Sequence, residues 1–521
     1  MTQWQASPLV DSRLCEADFA QQSWPHDRGS PFFDDLPTIN RSFADEDIFE
    51  MTCTSHSVWF RPVYFFSLAL GFGLAVLVPG GADAQPAEGQ DAEAAEEAVN
   101  ASTDNTLNIK VILEKYPEIK EILEKYQEDR EGTVKKLNAF SDAHDDLPPG
   151  GVILALVFSK PAQAAFHQQA LDDAVQSNPN DPDAYLMMAN RAVSQRRRTE
   201  AGLLIDKAEP LLNTFAGDAE RKRNVRKRFY QTRALLREQD ELWQDAADDW
   251  AERLKIDDQP GVRYRYARCL FRVGTEEARK QSLAEMTKAH QQDSENITLP
   301  YVAIAKFYDE IEDTAKAEEW FKAAEKKYPE DPAAHVQLAQ WQWKQGNPDE
   351  VLRHAEEAVK LDPDSLDANF WLGVVLHYRG DDVELLRSQE VLSKCQRLAP
   401  DNATIRNHLS LVRLDLGDAN STIMARDMAV ETLKTNQRDP FSRATLGHIL
   451  FKADARNRQT GWNYLKSVAG SPNNDIQFFL ASALVDVGKT AEAKQLLDRI
   501  LAGQSLFVYR AQAEKLAQAL N

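Results

Sequence analysis

Small and large apolar residues recur at helical spacing through the middle of the chain. Ile304, Ala305 and Tyr308 fall on one helix face, and Ala317, Phe321 and Ala324 on the facing side of the next. This periodicity predicts two amphipathic helices joined by a short turn, and Pro329 closes the second of them. The pattern then returns as Leu338, Ala339, Ala355 and Ala358, with Gly346 and Asn347 at the turn and Pro363 at the end. A third copy follows with Leu372, Gly373, the turn residue Gly380, then Leu392, Cys395 and Pro400. Pro329 and Pro363 stand 34 residues apart, and Pro363 and Pro400 stand 37 apart, so the third hairpin is slightly longer.

The small residues have a packing reason. Ala305, Ala339 and Gly373 occupy the same place in successive units, where two helices of a hairpin must approach closely. Ala324 and Ala358 do the same on the second helices, while Tyr308, Phe321 and Leu338 fill the gaps between them. One such hairpin buries too little to stand alone, so neighbours must stack into a continuous core. Looser copies extend the pattern both ways. Upstream are Leu154, Ala155, Leu171, Ala174 and Pro179, then Met188, Ala189, Ala201, Ile205 and Ala208, then units over about 225–257 and 261–295. Downstream, units are predicted after Pro400, over 441–470 and over 474–502, with a last helix over 505–520 covering the open end. The domain reading is divergent hairpins over 148–297, regular repeats over 298–400, and divergent hairpins with a capping helix over 401–521.

On these residues the chain resembles the tetratricopeptide repeat family. The resemblance implies an all-α fold, a right-handed superhelical solenoid of antiparallel helix hairpins. It implies a protein or peptide bound on the concave face, with no cofactor. Some family members grip a partner's terminal carboxylate with Lys and Asn on their first helices. Here the corresponding stretches carry Val336, Gln340, Phe370 and Val374, which departs from that ligand class.

The amino-terminal part reads differently. Residues 63–78, VYFFSLALGFGLAVLV, are uncharged and follow Arg61, and Ala82 and Ala84 follow them. Small residues at those two places suit a signal peptidase cutting after Ala84. A start at Met51 would give this segment the short leader such signals have and make 1–50 an annotation artefact; 1–61 as a whole reads as a disordered or mis-annotated extension. The alternative is an uncleaved membrane anchor over 62–80, since about 20 apolar residues span a bilayer. If the segment is uncleaved, membrane contact is expected through it alone. Either reading sends residues 148 onward outside the cytoplasmic membrane, to a periplasmic or secreted location. Residues 85–105 form an acidic Ala/Glu-rich linker, and 106–147 a short helical piece broken at Pro117 that reads as a cap.

Charge and chemistry narrow the function. The chain carries a net charge of −21, which repels phosphate backbones, so nucleic acid is not an expected partner. The four cysteines have neither CxxC nor zinc-finger spacing, the ten histidines are scattered, and no P-loop, GxSxG or HExxH stands in the sequence. The chain therefore reads as a non-enzyme without metal or cofactor. Two features are candidate partner-binding sites. One is the aromatic set Trp341, Trp343, Trp371 and Tyr378, which would make anchors for a peptide. The other is the basic run Arg221, Lys222, Arg223, Arg226, Lys227 and Arg228, a local reversal of sign in an acidic chain. Each has a plainer reading, as core packing and as a helix face paired with nearby carboxylates. The expected function is a scaffold or adaptor. A membrane-tethered assembly factor for an envelope or secretion complex, and an enzyme with an atypical acidic site in the solenoid, are the alternatives.

Overall fold

The computed structural model describes residues 107–126 and 128–520. The readings of 1–61, 62–84 and 85–105, and with them Cys15 and Cys53, lie outside the described residues. Within the described residues the protein is entirely helical, with no strand. The helices are α1 (Ile109–Lys115), α2 (Pro117–Glu124), α3 (Arg130–Asp142), α4 (Gly150–Val157), α5 (Ala164–Ser177), α6 (Pro182–Ser194), α7 (Arg198–Ala208), α8 (Ala219–Gln239), α9 (Trp243–Ile256), α10 (Pro260–Val273), α11 (Glu276–Gln292) and α12 (Pro300–Glu310). They continue as α13 (Thr314–Lys327), α14 (Pro332–Lys344), α15 (Pro348–Leu361), α16 (Leu366–Arg379), α17 (Asp382–Leu398), α18 (Ala403–Leu416), α19 (Ala419–Thr435), α20 (Pro440–Ala453), α21 (Arg458–Ser467), α22 (Asn474–Asp486), α23 (Thr490–Leu501) and α24 (Arg510–Ala519). From α4 to α23 they pair as antiparallel hairpins, each packed on the next.

Local chemistry sets the boundaries. Asp181, Asp331 and Asp439 each accept backbone N–H bonds as N-caps, and each precedes a proline at the first helical position. Gly274, Gly380 and Gly417 end first helices in the left-handed conformation. The predicted packing residues lie inside: Ile304, Ala305, Tyr308, Ala317, Phe321, Ala324, Leu338, Ala339, Ala355, Ala358 and Leu372 are all buried. Gly373 is buried too, and a Cβ there would come within 2.6 Å of Leu392.

Pro117 starts a new helix, α2, as the sequence predicts. Helices α1–α3 place Ile112, Ile119 and Leu137 in one core with Val152, Ile153 and Leu171 of the first hairpin, so they seal that end of the stack. The Gly150–Gly151 pair has a packing reason: a Cβ at Gly150 would meet the Asn138 backbone nitrogen at 2.6 Å, and one at Gly151 the Ala170 carbonyl at 2.8 Å. At the other end the structure departs from the expected helix over 505–520. The last helix begins only at Arg510, and residues 502–509 form neither helix nor strand. The reason is local: Gly503 interrupts the helix, and Leu506-Phe507-Val508-Tyr509 is a run of apolar residues without helical period.

Candidate functional site

First helices of successive pairs touch one another, α6 with α8, α14 with α16, α18 with α20 and α20 with α22. Second helices pack chiefly on first helices. The first helices are therefore the inner layer of the stack, and their free sides line its inner face.

Residues 504–509 lie along that face, over the ends of α14 to α22. The Leu506 N–H donates to the Trp343 carbonyl at 3.0 Å, and the Gln504 amide reaches the Gln345 side chain at 3.0 Å. Gly346 is required beneath them for two reasons. Its φ is +81°, and a Cβ would stand 2.7 Å from the Gln504 carbonyl oxygen. Further along, the Tyr509 N–H donates to the Asp475 carboxylate at 3.1 Å and its hydroxyl to Asp415 at 2.7 Å. The same Asp415 oxygen stands 2.8 Å from His377 Nε2. The Tyr509 ring stacks on Phe478 at 5.3 Å and meets His377, His448 and Phe479 edge-on or nearly so. Arg510 folds back to the carbonyls of Gly503 and Ser505, which holds the turn. Leu506, Phe507, Val508 and Tyr509 are all less than 5% exposed.

Electrostatics follow from this burial. Asp475 is pushed up to about 6 by loss of water, against the backbone N–H groups of Tyr509 and Val508 that favour its charge. Burial also raises the Tyr509 phenol well above its ordinary range, with the Asp415 charge acting the same way. His408 and His448 are driven down by burial, to about 3 and about 4.

The aromatic candidates divide. Trp341 points into the stack and lies on Phe321, ring centroids 4.8 Å apart. Trp343 meets Trp371 at 5.9 Å and Tyr378 at 5.6 Å. These three share a core cluster with Leu506, Phe507, Val508 and Tyr509. Trp341, Trp343 and Trp371 are thus buried, the last two in a cluster that the chain's own carboxyl-terminal segment completes, and Tyr378 is partly buried beside them.

The basic run lies on α8 and is engaged within the chain. Arg221 pairs with Asp181 at 2.5 Å and Asp183 at 2.6 Å, and Arg228 pairs with Asp183 from the other side. Lys227 pairs with Asp257 at 2.8 Å, Arg223 donates to the Ile256 carbonyl, and Arg226 to Asn213. Lys222 and Arg221 both lie over the Phe215 ring. Later in α8, Arg233 and Arg237 hold the buried Asp249 at 2.7 and 2.5 Å. These carboxylates occupy most of the positive charge that a foreign anion would need.

Sequence reasoning missed Asp415, Asp475, His377 and Tyr509. The one local trace was the SLFVY run after Gly503, whose β-branched and aromatic composition argues against helix. It also missed a contact between two histidines far apart in sequence: the Nδ1 atoms of buried His335 and His354 stand 3.1 Å apart. Among the described residues no group of three or more His, Cys, Asp or Glu side chains is placed to hold a metal ion. Cys269 and Cys395 are free and buried, and burial raises both thiols, Cys395 to about 12, which leaves them weak nucleophiles.

Residues 332–375 match the tetratricopeptide repeat family. Several solved structures are similar to the chain. One is described as the functional characterization of Pseudomonas aeruginosa pilF, with 18% identity and a TM-score of 0.29, over 41% of this chain and 96% of that one. A second is TTC0263, a thermophilic TPR protein of Thermus thermophilus, with 17% identity and a TM-score of 0.30, over 36% of this chain and 99% of that one. A third is yeast Tom70, with 14% identity and a TM-score of 0.32, over 78% of this chain and 96% of that one. No curated protein matches the chain. The paired helices, the small residues at matched places and the repeat at 332–375 identify the described chain as an all-α, tetratricopeptide-like superhelical solenoid.

Proposed function

We propose that the protein is a protein-binding scaffold whose inner face, lined by first helices, takes non-helical protein segments. One observation carries this reading. The inner face already holds a non-helical stretch of polypeptide, its own residues 504–509, by backbone N–H bonds from Leu506 and Tyr509 and by side-chain burial between them. Main-chain bonds fix an extended strand of polypeptide irrespective of its sequence, and pockets for its side chains then select among sequences. The free thiols are buried and their acidity is suppressed, and the large charge clusters of α8 are internally paired, so neither nucleophilic chemistry nor anion capture is favoured.

Panning a random peptide library against the full chain tests the proposal. The expected result is enrichment of peptides whose binding slows hydrogen exchange in first helices such as α10, α12 or α14. Failure to enrich any peptide, or protection confined to second helices, would remove it. A location outside the cytoplasmic membrane is the other part of the proposal and rests on the apolar run 63–78. Among the described residues no helix is long and apolar enough to cross a membrane. Amino-terminal sequencing of the natural protein checks this part: a first residue at Gln85 supports export with cleavage, and a soluble protein retaining 63–78 contradicts it.

A further inference from the structure

Residues 504–509 behave as a ligand of the inner face more than as an integral part of a repeat. They contribute no helix or strand, and two of their main-chain bonds to the helix pairs are those of Leu506 to Trp343 and Tyr509 to Asp475. The helix that follows, α24, is half exposed, with Ala513 its one buried residue and Leu516 and Ala517 packed partly buried against the same core. Beneath the segment lies a face built on Trp343, Trp371, Phe478 and Phe479, into which two carboxylates and the imidazoles of His377 and His448 are set. Polar groups placed in an apolar groove discriminate among ligands, because a sequence that cannot pair with them leaves them buried and unsatisfied.

The fit of the segment is also incomplete. His377 and His448 both pack against the Tyr509 ring, and each is almost fully buried with its Nδ1 lacking a hydrogen-bond partner. More than nine in ten buried polar groups are normally paired. Two unpaired imidazole nitrogens against the Tyr509 ring indicate that the built-in segment does not use all the recognition capacity beneath it.

Resting on the scaffold reading above, we propose that residues 503–520 are a removable occupant of the inner face. The partner that replaces them is a non-helical segment of another protein with an aliphatic–aromatic–β-branched–tyrosine pattern, its tyrosine hydroxyl bonded to Asp415. The chain is thereby closed to weak or mismatched segments. The apparent affinity of any partner is reduced by the fraction of molecules in which the tail is seated.

A fluorescein-labelled peptide GQSLFVYRA, the sequence of residues 503–511, is the probe. It is titrated by anisotropy into the full chain, into Val508→Asp, and into Val508→Asp with Asp415→Asn. Circular dichroism confirms that each is helical. Unseating the tail should raise affinity for the probe by about tenfold or more, and the Asp415 change should reverse most of that gain. A helical Val508→Asp variant that binds the probe no better than the unaltered chain overturns the proposal. If Val508→Asp does not fold, the unaltered chain gives the answer. Excess unlabelled peptide should speed hydrogen exchange at residues 503–509, and no change overturns the proposal. Library peptides that protect inner helices while this probe fails would sink the inference and leave the scaffold reading standing. Failure of both would remove both.

Discussion

At the residue scale, the fold depends on where a methyl group cannot go. A Cβ on Gly461 would lie 2.6 Å from the Phe451 nitrogen and 2.7 Å from the Gly447 carbonyl oxygen, both backbone. On Gly373 it would meet the Leu392 side chain instead. Alanine gains about 1 kcal/mol of helix propensity over glycine at either place, but overpacking costs about 1–3 kcal/mol. Gly461→Ala is therefore expected to destabilise the protein more than Gly373→Ala in denaturant titrations. Adding Leu392→Ala should make Gly373→Ala neutral or stabilising, because the cost lies in that one contact. Equal effects of the two glycine changes would contradict this. The small residue at position 373 was visible in the sequence because it recurs in register with Ala305 and Ala339. Gly461 was not, because its partner surface is backbone from α20 and no repeat frame marks it.

At the element scale, α8 and the carboxyl-terminal segment make opposite points. The basic run on α8 was conspicuous in the sequence, but the carboxylates that absorb it lie at the start of α6 and in the loop after α9, which spacing along the chain does not reveal. Removing one partner of a buried ion pair strands the other charge. Arg221→Ala is expected to cost about 3 kcal/mol by leaving Asp181 and Asp183 under-compensated. Lys222→Ala and Arg226→Ala should stay within about 0.5 kcal/mol. Equal losses for all three in chemical denaturation would show that the run acts as a diffuse patch. For the segment 504–509, burying Leu506, Phe507, Val508 and Tyr509 contributes about 1.5–3 kcal/mol each. Ordering six residues costs about 1–2 kcal/mol each. The sums nearly cancel, which is the energetic condition for a segment that stays seated yet can leave. Its position could not be read from the sequence, because Asp415 and Trp343 lie 94 and 163 residues from the groups they meet.

At the scale of the whole molecule, the hairpin stack was legible from period and caps, and the contents of its inner face were not. That face holds His408 and His448, whose folded pKa values of about 3 and about 4 lie below the ordinary imidazole value. The unfolded chain therefore takes these protons first. The stability they contribute is complete above about pH 6.5 and is lost as pH falls toward 4, by about 2 kcal/mol for each ring at pH 5. Asp475, raised to about 6, acts in the opposite sense, its contribution present below about pH 4 and lost as pH rises through 6. Two rings outweigh one carboxyl, so the melting temperature should be lower at pH 5 than at pH 7. His408→Leu should remove at least half of the difference, and an unchanged difference would show that the ring is not buried as described. The most direct test of the account is hydrogen exchange resolved at Leu506 and Tyr509 in the unaltered chain. Their amides donate to the Trp343 carbonyl and the Asp475 carboxylate. They are predicted to exchange about a hundredfold more slowly than an open chain, yet faster than the core amides of α16 and α20. Exchange at the open-chain rate would mean that the inner face does not hold a polypeptide at all.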